Sequence, residues 1–275
     1  MIRLLIFSIF FLSNSLADEQ GYRFINDIEK NDVMDIEIIT DMSQGGYNYI
    51  SYFSGRISTE YEGFDGKYKF LQTWTDIVST YRRNDELKVN HAAQKLNGTQ
   101  FIIISDSTGE FSREGLGDRA REMEDENTAF MFFTSQGNML HPFGSDSLYK
   151  TGDTWVQKTD EHLDEFPGFE SADVDLLDEN IFTFKKVKTK KGKKIAYISS
   201  KGTLNMKMTS ITWDEQWEMV VTGNLKTDFQ YSITDKKIIK CRMRGTIMGN
   251  GTDLEDDSSI SFNQNIDMIC KTKIK

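Results

Sequence analysis

The chain has 275 residues, with 43 acidic against 33 basic side chains and a formal net charge of −10. That charge argues against nucleic acid and anionic membrane surfaces as partners. Two prolines, Pro142 and Pro167, argue against long disordered linkers, and a chain of this length can bury a core without depending on staples.

In chain order, the first feature is an export signal. Arg3 supplies a short positive region, Leu4 to Leu12 is an apolar run, and Ser15-Leu16-Ala17 places small residues at −3 and −1 of a cleavage site. The run is far short of the roughly 20 apolar residues of a membrane-spanning helix. Residues 1–17 are therefore predicted to be a cleaved signal peptide, with the mature protein starting near Asp18. No later segment is apolar for long enough to span as a helix. The expected location is the periplasm or the outside of the cell.

Residues 18–145 read as a β-rich half with one helix. Ile36 and Ile38 alternate with Asp35 and Glu37, and Tyr47, Tyr49 and Phe53 share a face. Gly63-Phe64-Asp65-Gly66 makes a turn before Tyr68, Phe70 and Trp74. Asn97-Gly98 reads as a turn and Phe101 to Ile104 as a buried strand. From Asp118 to Ser135 the spacing of Ala120, Met123, Ala129, Phe130 and Phe133 predicts a connecting helix.

Residues 146–275 read as an antiparallel meander. Leu204, Met206 and Met208 alternate with polar residues, Trp213-Asp214-Glu215-Gln216 turns the chain, and Trp217, Met219, Val221, Leu225, Phe229, Tyr231 and Ile233 continue in one phase. Gly223-Asn224 inside this run suggests a bend or bulge. Lys185 to Lys194, with Gly192 inside it, reads as a hairpin tip whose lysines protect strand edges.

Two cysteines in an exported chain favour one disulfide. A hairpin register that sets Cys241 opposite Cys270 also sets Met243 opposite Met268, so both apolar faces coincide. Gln264 then meets Ile247, a mild mismatch.

The Gly152-Asp153-Thr154-Trp155 segment, between a strand-rich first half and a meander, resembles a group of exported bacterial proteins that carry a Gly-Asp-x-Trp segment before a second β-rich half. The architecture is also similar to curved-sheet lipoprotein carriers, which hold an apolar ligand; that likeness is one of layout.

No nucleophile elbow, phosphate-binding loop or zinc-ligand spacing is present. His91, His141 and His162 are far apart. The acidic stretch from Asp160 to Glu179 lacks the Asp-x-Asp-x-Asp-Gly order of a calcium loop and reads as solvated. No catalytic residue, metal site or cofactor is assigned.

The expected fold is all-β or β-dominated α+β: two curved antiparallel sheets with a helix near 118–135. The expected function is a non-catalytic envelope protein that binds an apolar small molecule or an envelope component. Its ligand-binding candidates are Trp213, Trp217, Met206, Met208, Met219, Phe229 and Tyr231. The rival readings are a secreted carboxylate-based hydrolase, which needs two converging carboxylates, and a structural or adhesive protein pairing through sheet edges.

Overall fold

The computed structural model describes residues 21–83, 86–105, 111–112, 143, 146–163, 171–212 and 215–274. The first half holds β1 (Asp32–Gln44), β2 (Tyr47–Phe64), β3 (Tyr68–Arg83), β4 (Glu86–Val89), the short helix α1 (His91–Gln94), β5 (Gln100–Ser105) and β6 (Phe111–Ser112). The second half holds β7 (Thr154–Leu163), β8 (Ser171–Lys190), β9 (Lys193–Thr212), β10 (Glu215–Ser232), β11 (Lys237–Asp253) and β12 (Ser259–Ile274).

Among the described residues these strands form one antiparallel sheet, in the order β6-β5-β3-β2-β1-β12-β11-β10-β9-β8-β7, with β4 pairing β3 beside β5. The expectation of two sheets is corrected. β1 pairs with β12 along its whole length, from Asp32↔Ile274 to Gln44↔Phe262, and this ladder joins the two halves. The merger costs nothing in burial, because Ile36 and Ile38 on β1 fall in the same phase as Cys270 and Met268 on β12. The connecting helix expected at 118–135 lies outside the described residues, as do residues 1–20.

Turn chemistry sets the hairpins. Gly45-Gly46 and Lys191-Gly192 both have positive φ at each position (55° and 79°, 50° and 77°), the geometry of a two-residue turn that matches strand twist. The Lys191-Gly192 turn makes the lysine-rich run a hairpin tip, as the sequence predicts.

The sheet has a charged face and an apolar one. On the charged face Arg56 donates to Asp35 and Asp76 (2.8 and 2.7 Å), Lys273 to Asp35 (3.1 Å) and Arg242 to Asp267 (2.9 Å). Burial pushes the Asp35 carboxyl up, but the hydrogen bonds and charges of Arg56 and Lys273 outweigh it and hold the group below its ordinary value. On the apolar face, small and large side chains alternate from strand to strand. Gly202 faces Leu225, Leu225 faces Gly245, and Gly245 faces Ile266. In the neighbouring row Leu204 faces Gly223, which faces Ile247. Gly223 and Gly245 leave room for the branched residues beside them, and Gly202 for the Asn180 side chain.

The predicted bulge at Gly223 is corrected, since pairing runs unbroken there; the register shifts at Gln230/Tyr231 instead. Gly223 serves close approach: a Cβ there would meet Ile247 at 3.3 Å and Leu204 at 3.4 Å. A true bulge sits in β3, where Asp76 (φ 56°) and Ile77 stand against Gly55 alone. The missing Gly55 side chain admits Ile77, 3.4 Å from the Cβ position.

Two main clusters form the core. One runs along the middle of the sheet through Ile36, Ile38, Phe53, Ile57, Trp74, Val221, Ile247 and Met268, with Leu96 from the loop after α1. The other is aromatic, gathering Phe24, Phe143, Tyr149, Phe182, Phe184 and Tyr231.

The C-terminal hairpin has the predicted register: Cys241↔Cys270, Met243↔Met268 and Ile247↔Gln264. The expected disulfide differs from what is observed, because both cysteines are free. Direct opposition in the register does not by itself bring two sulfurs to bonding distance or set the torsion about them. Contact with Cys241 and burial raise the Cys270 thiol pKa.

Candidate functional site

The predicted ligand-binding residues separate into two groups. Met206, Met208 and Met219 come together on β9 and β10: Met208 is buried beside Val174 of β8, while Met206 and Met219 are half-buried and touch both Val174–Met208 and the central core. Trp217, also half-buried, extends this strip, with its ring 3.4 Å from where a Gly251 Cβ would stand. Trp213 lies outside the described residues.

Phe229 and Tyr231 belong elsewhere, in the aromatic core. Phe229 meets Phe143 edge-on at 5.2 Å. Tyr231 is fully buried and its hydroxyl donates to the Ile25 carbonyl, so burial raises its pKa well above the ordinary phenol value. Both pack within the aromatic cluster, apart from the Met strip. Phe229 and Tyr231 share the alternation phase of Trp217 and Met219 on β10, and phase cannot tell an open end of a sheet from a closed one.

The Met strip has a polar neighbour that the sequence reading missed. Asp178 of β8 stands opposite Leu204, on the apolar side, and accepts from Asn180 Nδ2 at 2.6 Å. Burial raises its pKa, against the hydrogen bonds from Asn180 and the Glu179 backbone. The available signal was Asp178 falling in phase with Val174 and Phe182 in an otherwise apolar register.

A raised folded-state pKa means that the stability linked to protonated Asp178 is present below the unfolded-state pKa and lost as pH rises through the folded one. Asp178→Asn should therefore stabilise the protein at pH 7, by less than about 1 kcal/mol because the group is partly solvated. The gain should vanish below about pH 4, where the carboxyl is protonated in both states. Urea midpoints at the two pH values check this; equal gains at both would contradict it.

The Gly152-Asp153-Thr154-Trp155 segment serves the aromatic cluster. Gly152 adopts φ 98° and donates its N–H to the Phe184 carbonyl at 2.7 Å. Asp153 Oδ2 accepts from the Lys150 N–H at 2.7 Å, closing the turn before β7. Trp155 stacks on Tyr149 and Phe182, with centroids 4.0 and 5.3 Å apart, and its indole donates to the Phe143 carbonyl at 2.8 Å. Each residue type is accounted for by packing.

Of the histidines, His91 opens α1 and His141 lies outside the described residues. His162, on β7, faces Asp175 on β8.

The fold thus defines a class: an all-antiparallel β protein with one continuous sheet, apolar on one side and charged on the other. Two solved structures bear some likeness to it. The Pseudomonas aeruginosa protein OccK5 (OpdH) is 6% identical, with a TM-score of 0.24 over 90% of this chain and 98% of that one. OccK2 (OpdF) of the same organism, solved in complex with glucuronate, is 6% identical, with a TM-score of 0.15 over 93% of this chain and 99% of that one. No protein-family model and no curated protein matches the chain.

Proposed function

We propose that this is a non-catalytic exported protein of the cell envelope that holds an apolar ligand or envelope partner against the Met-bearing end of its sheet. The observation that carries this reading is the half-buried strip of Met206, Met219 and Trp217, which flanks the buried core of Val221, Ile247 and Met268 on the same face. Methionine is soft and unbranched, and fits apolar surfaces of variable shape. The charged opposite face supports a sheet that meets water there, since Asp35, Arg56, Arg242 and Asp267 would be costly against lipid. The leader-like residues 1–17 and the resemblance to exported proteins with a Gly-Asp-x-Trp segment support export.

One purification from the native host tests this. Native mass spectrometry should find an apolar molecule bound to a chain that starts near Asp18. Met206→Glu combined with Met219→Glu should release the bound molecule while the fold is retained. Ligand-free protein from the host, or a ligand held equally well by the double variant, would refute the binding reading. An intact Met1 would refute export.

A further inference from the structure

We propose that His162, Asp173 and Asp175 form a binding site for a divalent transition-metal ion of the zinc class, on the charged face at the β7–β8 end of the sheet.

The site follows from strand geometry. His162 of β7 is registered directly opposite Asp175 of β8, and Asp173, two residues away, points to the same face. His162 Nδ1 lies 2.9 Å from Asp175 Oδ1 and 3.7 Å from Asp173 Oδ1. One ligand atom from each of the three residues falls within 4.8 Å of the others. Metal–nitrogen and metal–oxygen bonds of about 2.0–2.2 Å set ligand atoms about 3–3.5 Å apart, so only a small closure is needed. All three side chains are exposed, which leaves further coordination positions to water.

A second observation separates this cluster from ordinary surface carboxylates. Asp35, Asp228 and Asp267 on the same face, and Glu179 on β8 itself, each pair with a lysine or arginine. Among the described residues Asp173 and Asp175 are matched to no such cation, although Lys207 of β9 is registered opposite Asp175. Two adjacent carboxylates with an imidazole as their neighbour repel one another, and a divalent ion relieves that repulsion. The imidazole selects the ion: nitrogen suits zinc, cobalt or nickel, whereas calcium and magnesium take oxygen.

The test is calorimetric titration of the mature protein with zinc chloride alone, and with cobalt chloride followed by its visible absorption. One saturable equivalent is expected, with a cobalt spectrum that shows nitrogen ligation. His162→Ala, Asp173→Asn and Asp175→Asn should each weaken binding by about tenfold or more. These side chains are exposed, so circular dichroism of the variants should match the parent. Calcium chloride should not compete. The absence of saturable binding, equal competition by calcium, or zinc binding unchanged in His162→Ala would overturn the site and leave the cluster as charge protection of the edge strand.

Discussion

Replacing Phe24 with alanine should destabilise the protein by about 3–5 kcal/mol, measured as a shift in the urea midpoint at constant slope. Phe24 lies before β1, in a segment with no strand ladder of its own, yet it is completely buried. Its ring meets Phe184 at 5.0 Å, Tyr231 at 5.4 Å and Phe143 at 5.6 Å, all edge-on, and stacks with Tyr149 at 6.0 Å and Trp155 at 6.2 Å. Backbone bonds hold the segment on either side. Tyr22 exchanges hydrogen bonds with Tyr149 (2.7 and 2.9 Å), and the Asp27 N–H donates to Lys236 (2.7 Å). With Trp155, Phe184 and Tyr231 held by three separate strands, β7, β8 and β10, the cavity left by truncation cannot collapse. A loss below about 1 kcal/mol would mean that the segment is not docked in solution.

Gly245→Ala should cost about 2–3 kcal/mol, whereas Gly251→Ala on the same strand and face should stay within about 1 kcal/mol. Neither position has positive φ, so the contrast is one of space. A Cβ at Gly245 would press into the Asn224 carbonyl oxygen and stand 2.9 Å from Leu225 Cα and 2.8 Å from its Cδ2. Backbone of a paired strand cannot yield without disturbing the β10–β11 ladder. At Gly251 the neighbours are side-chain atoms of Ile260 at 3.1 Å and Met219 and Trp217 at 3.4 Å, which can rotate. Thermal unfolding of both variants checks this; equal effects would show that the close backbone approach at Gly245 is not what sets its cost.

Much of the fold was legible along the chain because it is local. Alternation assigns each strand its faces, and Gly192 or the Asp235-Lys236 region marks where the chain reverses. In the C-terminal hairpin two cysteines, two methionines and a period of two leave a single register that matches faces, so even the Ile247–Gln264 mismatch could be expected. Part of the half-buried strip, Met206 and Met219, was visible in the same way.

The rest depended on which strands meet. β1 reads equally well as the edge of a separate sheet. Only its ladder with β12, tied by contacts such as Lys273–Asp35 between residues 238 apart in sequence, makes the sheet continuous. Tyr231 and Met219 share an alternation phase, yet docking of residues 22–27 closes one end of the face and leaves the Met strip half-open. The ligand spacing at His162, Asp173 and Asp175 matches no linear motif because two strands supply it. Short-range pattern and turn chemistry determined the elements and their faces. Pairing between distant strands, whose free energy is gained only after a long loop is closed, determined the single sheet and the places where chemistry can gather.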